Sequence, residues 1–433
     1  MSMTLSPVFF PNDLITEIFS VLPVKSVLRF RCVSNSCNTL ISDPTFVKLH
    51  LKRSETRNPH FLLITDHTIE INGESPYGSE DDYKIDSGVI PYSIRSLIHN
   101  LSFTLSVNPY YLVIKGWTRV IGSCNGLICL TDDSFNGEYR DYWFRLWNPA
   151  TRTTSPILGN FFIFHNYSPE KPDWFDGYYK FSFGCDNSTS TYKVVAARYN
   201  QRELRSNVRI LSLGDNVWRD IESFPVDPIL LNSSSSELGE YAAVYFSSTL
   251  NWLAIQNKFY YTVSNIKDIT VEQFVIVSLD LGSETYNQYL LPRGFDEVPP
   301  VIPTIGVLGD HLCFSYCYKE IDFVIWEMKK FGVEDSWTPF LKISYHNLQV
   351  NYNYSDDRIK YHFKLVPMFL YEDADTLILC NSQEREAIIY NWRNNRVERT
   401  GATIYYGSFT DDIASCISWS MAKGCVESLV SIC

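Results

Sequence analysis

Cys313 and Cys317 come closest in this chain to a pair of side chains that could bind a metal. They alternate with aromatic residues in the run LCFSYCY (312–318), so a β-strand would place both thiols on the same face. A structural zinc ion needs four ligands, and no second cysteine pair or nearby histidine completes the set. The two thiols are therefore predicted to pack as small apolar side chains, and no metal site is expected.

The other residue types that support catalysis are scattered without a recognisable motif. The sequence has no Gly-x-Ser-x-Gly, His-Glu-x-x-His, phosphate-loop or dinucleotide-binding pattern, and its histidines include no close pair with ligand spacing. The acidic pairs Asp81-Asp82 and Asp356-Asp357 lie in loop-like segments, where solvated carboxylates are expected. The chain is thus predicted not to be an enzyme and to need no cofactor.

The overall charge argues against nucleic-acid binding. The 433 residues include 37 Lys and Arg against 49 Asp and Glu, a formal net charge of −12, and no local basic patch offsets that repulsion of phosphates. No signal peptide and no membrane-spanning segment is expected. The 11 cysteines, an odd number without a CxxC pair, are expected to be reduced. These features predict a cytoplasmic or nuclear protein.

The first fifty residues contain the elements that must position any interaction surface. Between Phe10 and Leu51, hydrophobic residues fall at helical spacing in short bursts that end at proline or at a capping residue. A module of this size rarely buries enough core to be stable alone, so its remaining apolar surface is expected to meet a partner. The predicted starts of four helices are Asn12, Pro23, Ser34 and Asp43-Pro44.

These apolar and proline positions resemble an F-box, the helical module by which a substrate receptor docks on a Skp-family adaptor of a cullin–RING ubiquitin ligase. The matching positions are Pro11, Leu14, Ile15, Ile18, Leu22-Pro23, Val24, Leu28, Arg31-Cys32-Val33, Leu40-Ile41 and Asp43-Pro44-Thr45-Phe46. The resemblance implies a Skp-family adaptor as partner, with cullin and RING subunits reached through it. The residues that it implies face the adaptor are Pro11, Leu14, Ile15, Ile18, Leu22, Pro23, Val24 and Leu28.

Two positions depart from the F-box pattern. Phe10 stands where the family usually has leucine, which keeps an apolar anchor. The run from Ser34 to Cys37 stands where Val-Ser-Lys-Ser-Trp is commoner, so a bulky aromatic residue is missing. Whether the cysteine weakens adaptor binding is left open, and the alternative to an F-box is a small helical cap on a larger domain.

From Gly116 onward, short strands and turns rich in Asn, Gly, Asp or Pro recur at intervals of roughly 50 to 70 residues. Units of four short strands at such a period predict a β-propeller, because stacking around an axis covers faces that a single unit leaves bare. About six blades are expected, with five or seven open, and a β-sandwich is the alternative. The apolar residues that mark the five clearest repeats are Trp147, Leu213, Leu281, Met328 and Trp392.

The same region resembles the F-box-associated domain of plant F-box proteins, which is kelch-like and is the presumed target-binding part. The residues that carry this resemblance are Gly122-Ser123-Cys124-Asn125-Gly126-Leu127, Leu146-Trp147-Asn148-Pro149-Ala150-Thr151-Arg152, Phe183-Gly184, Tyr192-Lys193-Val194-Val195, Trp218-Arg219, Leu250-Asn251-Trp252-Leu253, Ser278-Leu279-Asp280 and Leu308. An α+β multidomain chain is therefore predicted. Its parts are an F-box module (5–52), a linker with the first β elements (53–116), an all-β propeller (117–410) and a closing strand with a short helix (411–433).

Two polar motifs and six tryptophans in the repeats suggest binding at first sight. Asn125-Gly126 and Asn148-Pro149 are interpreted as turns fixed by backbone geometry. A late strand that pairs with an early one is expected to lock the ring. The tryptophans that are interpreted mainly as packing between sheets are Trp147, Trp218, Trp252, Trp326, Trp337 and Trp392.

The two resemblances together imply the substrate-recognition subunit of an SCF-type (Skp–cullin–F-box) ubiquitin ligase, with an unknown target bound by the β-domain. The first alternative is a propeller that binds a glycan or another ligand, or hydrolyses a glycan with two convergent carboxylates. The second is an adaptor-bound scaffold that acts outside a ligase.

Overall fold

A computed structural model describes two parts of the chain, an N-terminal helical module and a ring of β-sheets. The described residues are 11–57, 59–70, 83–106, 112–115, 119–135, 139–164, 179–200, 203, 205–229, 231, 243–256, 268–350, 363–382, 386–405 and 416–432. Both predicted acidic pairs lie outside these ranges. Within them, no helix is long and apolar enough to cross a membrane.

The module contains four helices: α1 (Asn12–Phe19), α2 (Val24–Phe30), α3 (Asn35–Ser42) and α4 (Pro44–Arg57). Two predicted caps are confirmed: Ser34 Oγ accepts from the Cys37 N–H at 3.1 Å, and Asp43 Oδ1 accepts from the Thr45 N–H at 2.7 Å. The predicted cap at Asn12 is wrong. Pro11, with extended backbone, occupies the cap position, and Asn12 is already helical.

The ring consists of six sheets, and the first begins directly after the helical module. The elements from Pro59 to Lys115 are β1 (Pro59–Glu70), β2 (Tyr83–Ser93), α5 (Ile94–His99), β3 (Ser102–Ser106) and β4 (Leu112–Lys115). The second sheet contains β5 (Arg119–Cys124), β6 (Leu127–Phe135), β7 (Tyr139–Asn148), β8 (Thr153–Thr154) and β9 (Leu158–Phe164).

Each of the remaining sheets continues the same up-and-down order. The third contains β10 (Lys180–Asp186), β11 (Thr191–Asn200), β12 (Arg205–Ser212) and β13 (Val217–Ile221). The fourth contains β14 (Val244–Phe246), β15 (Thr249–Ile255), β16 (Phe274–Asp280) and β17 (Tyr286–Leu290). The fifth contains β18 (Thr304–Leu308), β19 (His311–Tyr318), β20 (Asp322–Met328) and β21 (Trp337–Ser344). The sixth contains β22 (Leu365–Tyr371), β23 (Thr376–Asn381), β24 (Ala387–Asn391) and β25 (Arg396–Arg399).

The end of the chain closes the ring. β26 (Gly401–Tyr405) pairs in parallel with β3, and β27 (Cys416–Val426) pairs antiparallel with β1, with Val426 opposite Pro59. The first sheet therefore has the order β27-β1-β2-β4, and the chain's last strand completes its first blade. The inner strands β27, β5, β10, β14, β18 and β22 follow one another around the axis, and β22 contacts β27. The protein is a six-bladed propeller, as predicted, and not a sandwich.

The core fills the gaps between successive blades. Alternate residues of β1 face opposite ways: Phe61 and Leu63 pack against the sixth blade, whereas Leu62 and Ile64 pack against the second. Cys313 and Cys317 both lie buried in the cluster between blades five and six, as expected for packing thiols. All six tryptophans belong to or pack against these clusters, which confirms their predicted role.

The ring extends into both flanking segments of the predicted propeller range 117–410. The strands β1, β2 and β4 are the first β elements expected within 53–116, and β27 is the expected closing strand within 411–433. The described chain after β27 (427–432) is irregular and not helical, contrary to the predicted terminal helix.

Candidate interaction surface on the helical module

The helical module exposes an unusual share of large apolar side chains. Leu14 and Ile18 are spaced by four residues on α1, so they share one helix face, and about half of each side chain is exposed. Phe30, at the end of α2, stacks on Phe19 with the ring centroids 4.7 Å apart and is itself exposed. Val33 follows it and is 69% exposed. Exposed apolar side chains of this kind are typical of a protein-binding site, and the four are called here the apolar patch.

The eight residues that the sequence placed on this surface divide into three groups. Pro11, Leu14, Ile18 and Pro23 are exposed, and Ile15, Leu22 and Leu28 are half-buried. Val24 is fully buried, so its assignment to the exposed surface needs correction. Its N–H donates to Glu427 Oε2 at 3.1 Å, because this first residue of α2 faces the end of the chain. Phe30 and Val33 are also exposed but were not among the eight, although both are apolar residues within the predicted module.

A small core holds the helices together beneath this surface. Its buried members are Phe19, Val27, Ile41 and Phe46. Cys37, which stands where the family prefers an aromatic residue, is half-buried against the same cluster. Leu429, from the far end of the chain, also packs against it, so this core is completed by the segment that follows the ring.

Polar side chains of α4 fix the position of α1 and of the turn after it. The buried His50 donates from Nε2 to the Leu22 carbonyl at 2.8 Å, and its Nδ1 accepts from Ser54 Oγ at 3.3 Å. Burial lowers the pKa of His50 below its ordinary value of 6.5, although the Leu22 carbonyl and the Glu427 charge oppose this. The imidazole of His50 is therefore neutral near pH 7, and it positions the Leu-Pro turn. Arg53, also on α4, forms an ion pair with Glu17 of α1 at 2.7 Å.

Arg31 joins the second and third helices in a similar way. Its guanidinium donates to Asn38 Oδ1 at 3.1 Å and to Ser42 Oγ at 3.2 Å. Sequence reasoning identified Arg31 only as a motif residue and missed His50 and Arg53 as positioning residues. Their partners Leu22 and Glu17 lie 28 and 36 positions earlier in the chain, so no local pattern in α4 identifies the two residues.

The segment 427–432, called here the C-terminal segment, seats the module on the propeller. Asn148 is fully buried, and its Nδ2 donates to the carbonyls of Ser428 at 3.1 Å and Val430 at 2.9 Å. Its Oδ1 accepts from the Ala150 and Thr151 N–H groups, which confirms the predicted turn.

The second predicted turn supports the same segment from the neighbouring hairpin. Asn125 and Gly126 both have positive φ, +53° and +78°, as a tight hairpin turn requires. A Cβ atom at Gly126 would lie 2.2 Å from Ser428 Cβ, so only glycine leaves room for the segment. The two turn motifs thus anchor the C-terminal segment in addition to shaping the second blade.

Comparison with known proteins gives matches along almost the whole chain. A family model described as F-box domain matches residues 10–49, and one described as F-box associated beta propeller domain matches residues 97–432. The Arabidopsis thaliana F-box/kelch-repeat protein At3g23880 is 28% identical, over 78% of this chain and 80% of its own length. The F-box protein CPR1 of the same plant is 26% identical, over 76% and 71% respectively.

Among solved structures, TolB from Acinetobacter baumannii aligns over 89% of this chain and 73% of its own, with a TM-score of 0.38 and 8% identity.

Proposed function

The chain belongs to the plant F-box proteins with an F-box associated beta propeller domain, and on that premise we propose that it is the substrate-recognition subunit of an SCF-type ubiquitin ligase. The helical module binds a Skp-family adaptor and, through it, the cullin and RING subunits. The propeller binds a target protein. The complex acts in the cytoplasm, the nucleus or both.

The observation that carries this proposal is the exposed apolar patch within the region that matches the F-box model. Leu14 and Ile18 on α1, with Phe30 at the end of α2 and Val33 after it, leave apolar area in water that a partner helix would cover. Each square ångström of such area that is buried contributes about 25 cal/mol. The patch therefore supplies a binding site for an adaptor without any change to the module's own core.

The mechanism is tethering and requires no bond chemistry from this chain. A target held on the propeller gains a high effective concentration near a ubiquitin-charged enzyme at the other end of the assembly. Tethering works best when the helical module and the propeller keep a fixed orientation relative to each other. The contacts of Asn148 and Leu429 with the C-terminal segment and the module support such a geometry.

The test is co-purification of the full chain with a plant Skp-family adaptor, beside the double variant Leu14→Asp, Ile18→Asp. Both side chains are exposed, so the variant keeps its fold, whereas two buried carboxylates in the complex cost several kcal/mol. That loss abolishes a complex of micromolar affinity. Ile321→Asp is the matched control, because Ile321 is exposed on the fifth blade. Equal adaptor binding by wild type and double variant contradicts the proposal.

The alternatives are separated by two further observations. Recovery of the adaptor without cullin, under conditions that preserve the whole ligase, indicates a scaffold outside a ligase. A glycan hydrolase needs two converging carboxylates. The described residues that line the axial cavity of the propeller include neither Asp nor Glu, so that site does not favour hydrolysis.

A further inference from the structure

Five inner strands of the propeller surround a cavity of about 220 Å³ on the axis of the ring. Its wall includes Ser182 of β10, Val244 of β14, Thr304 of β18, Val366 of β22 and Ala422 of β27. The described wall residues therefore come from every blade but the second. Its volume admits a compact ligand or a single side chain, not a folded element.

Three lysines from three different blades line this cavity: Lys180, Lys364 and Lys423. No carboxylate is found among the described lining residues, although the chain as a whole has a formal net charge of −12. Each lysine also makes another interaction in the protein. An ammonium group has three donors, so one such interaction leaves donors for a ligand. Among the described residues, the lining of the cavity therefore carries three ammonium groups and no carboxylate, within an acidic protein.

Lys180 places one of these charges in a position that is shielded from water. Only 6% of the residue is exposed. Burial, together with the nearby charge of Arg119, lowers the pKa of Lys180 to about 8. An ammonium group that is desolvated and close to another cation is stabilised by an anion beside it, since electrostatic attraction is stronger away from bulk water.

The position of the cavity relative to the helical module follows from strand direction. β27 ends at Val426, opposite Pro59, where the chain leaves α4. Lys180 begins β10, and Lys364 directly precedes β22. The ends of β5 and β10 lie towards α4, whose Glu55 and Lys48 act electrostatically on Cys124 and Cys185. Lys180 and Lys364 therefore lie towards the face of the ring away from the module.

We propose that this axial cavity binds a compact anion, a phosphate or carboxylate group held jointly by Lys180, Lys364 and Lys423. The group is supplied either by a free small molecule or by an acidic side chain of a bound protein. The inference does not rest on adaptor binding, because the cavity and the apolar patch lie on different parts of the chain.

The test is calorimetric titration of the full chain with sodium pyrophosphate, against sodium chloride of equal ionic strength. We expect saturable binding with one site per chain. Lys364→Met and Lys423→Met should each weaken the binding by about tenfold, because each removes one of the three lysine charges that line the cavity. Lys364→Arg keeps the charge and should retain most of the affinity. Lys330→Met, at an exposed lysine outside the cavity, is the control and should bind like wild type.

Two results overturn the proposal: no saturable heat with pyrophosphate, or an equal loss of affinity in Lys330→Met and in the cavity variants. Thermal melting of each variant shows that a loss of binding is not a loss of fold. A hexaglutamate peptide, with hexaglutamine as its control, identifies the source of the anion. Displacement of pyrophosphate by hexaglutamate indicates an acidic side chain, and binding of pyrophosphate without displacement indicates a free small molecule.

Discussion

The imidazole of His50 donates to the main-chain carbonyl of Leu22 at 2.8 Å, so the fourth helix holds the turn that carries the Leu-Pro motif. Neither group is on the exposed surface: His50 is fully buried and Leu22 is half-buried. The position of the apolar patch therefore depends on a polar contact behind it. An unmade buried hydrogen bond of this kind costs about 1 to 3 kcal/mol.

The first prediction concerns the pH dependence of the module. His50 has a lowered pKa in the folded chain, whereas the unfolded chain titrates near 6.5. At pH values between the lowered pKa and 6.5, the unfolded state binds more protons than the folded state, so the stability of the fold rises with pH. The stabilisation is fully present above pH 6.5 and is lost as the pH falls through the lowered pKa. We expect the protection of the α1 and α4 amides from hydrogen exchange to fall as the pH is lowered below 6.5.

The groups that face His50 supply the controls for this prediction. They are the Leu22 carbonyl, the Ser54 hydroxyl, the Phe46 ring and the Glu427 carboxylate. His50→Gln keeps an N–H donor but cannot gain a proton, so its protection should change less with pH. Glu427→Gln removes the only carboxylate among these groups. A pH response that is unchanged in His50→Gln contradicts the assignment to the imidazole.

The second prediction concerns Asn148. Asn148→Ala removes two donors to the C-terminal segment and the acceptor that shapes its own turn, so it should destabilise the protein by about 1 to 3 kcal/mol. Asn391→Ala is the matched control, since Asn391 makes the equivalent turn contacts in blade six, to Ala374 and Asn394. Both should lower the melting temperature. Only Asn148→Ala should raise the rate of proteolysis within 427–432, and equal cleavage in both variants contradicts the anchoring role.

Sequence reasoning succeeded where the determinants are close together in the chain. The caps at Ser34 and Asp43 bond to groups two or three residues away, and the Asn125-Gly126 turn is fixed by its own backbone. The blade count followed from a repeated pattern. These features need no knowledge of distant contacts.

The features that were missed depend on contacts between distant parts of the chain. Val24 is buried beside the end of the chain, where its N–H donates to Glu427, 403 positions later. Asn148 meets Val430 across 282 positions. A hydrophobic residue at a motif position carries no local sign of whether its partner is another protein or the end of its own chain. The assignment of Val24 therefore required the structure.

The third prediction concerns a contact between blades three and four. Glu284 accepts from Lys193 Nζ at 2.9 Å and from Arg219 at 2.6 Å. Burial alone would raise the pKa of Glu284, but these two cations outweigh it and lower the pKa. Glu284→Gln should lower the free energy of unfolding by about 1 to 2 kcal/mol in urea denaturation. Asp335→Asn, which breaks the exposed pair with Arg293, should cost less than about 0.5 kcal/mol. Equal losses of unfolding free energy in the two variants would contradict a larger contribution from the inter-blade contact.

The fourth prediction separates two residues that the sequence placed on one surface. Leu14 is 51% exposed, whereas Val24 is fully buried against the end of the chain. Val24→Asp places an unpaired charge in that buried position, which costs several kcal/mol. We therefore expect Val24→Asp to lower the melting temperature and to lose adaptor binding as a consequence of unfolding in the module. Leu14→Asp should keep the wild-type melting temperature and weaken only adaptor binding. The two measurements, melting and adaptor co-purification, are needed together, because a loss of binding alone does not distinguish the variants. If Val24→Asp melts like wild type and still loses the adaptor, Val24 reaches the surface in the bound state and belongs to the adaptor-facing residues.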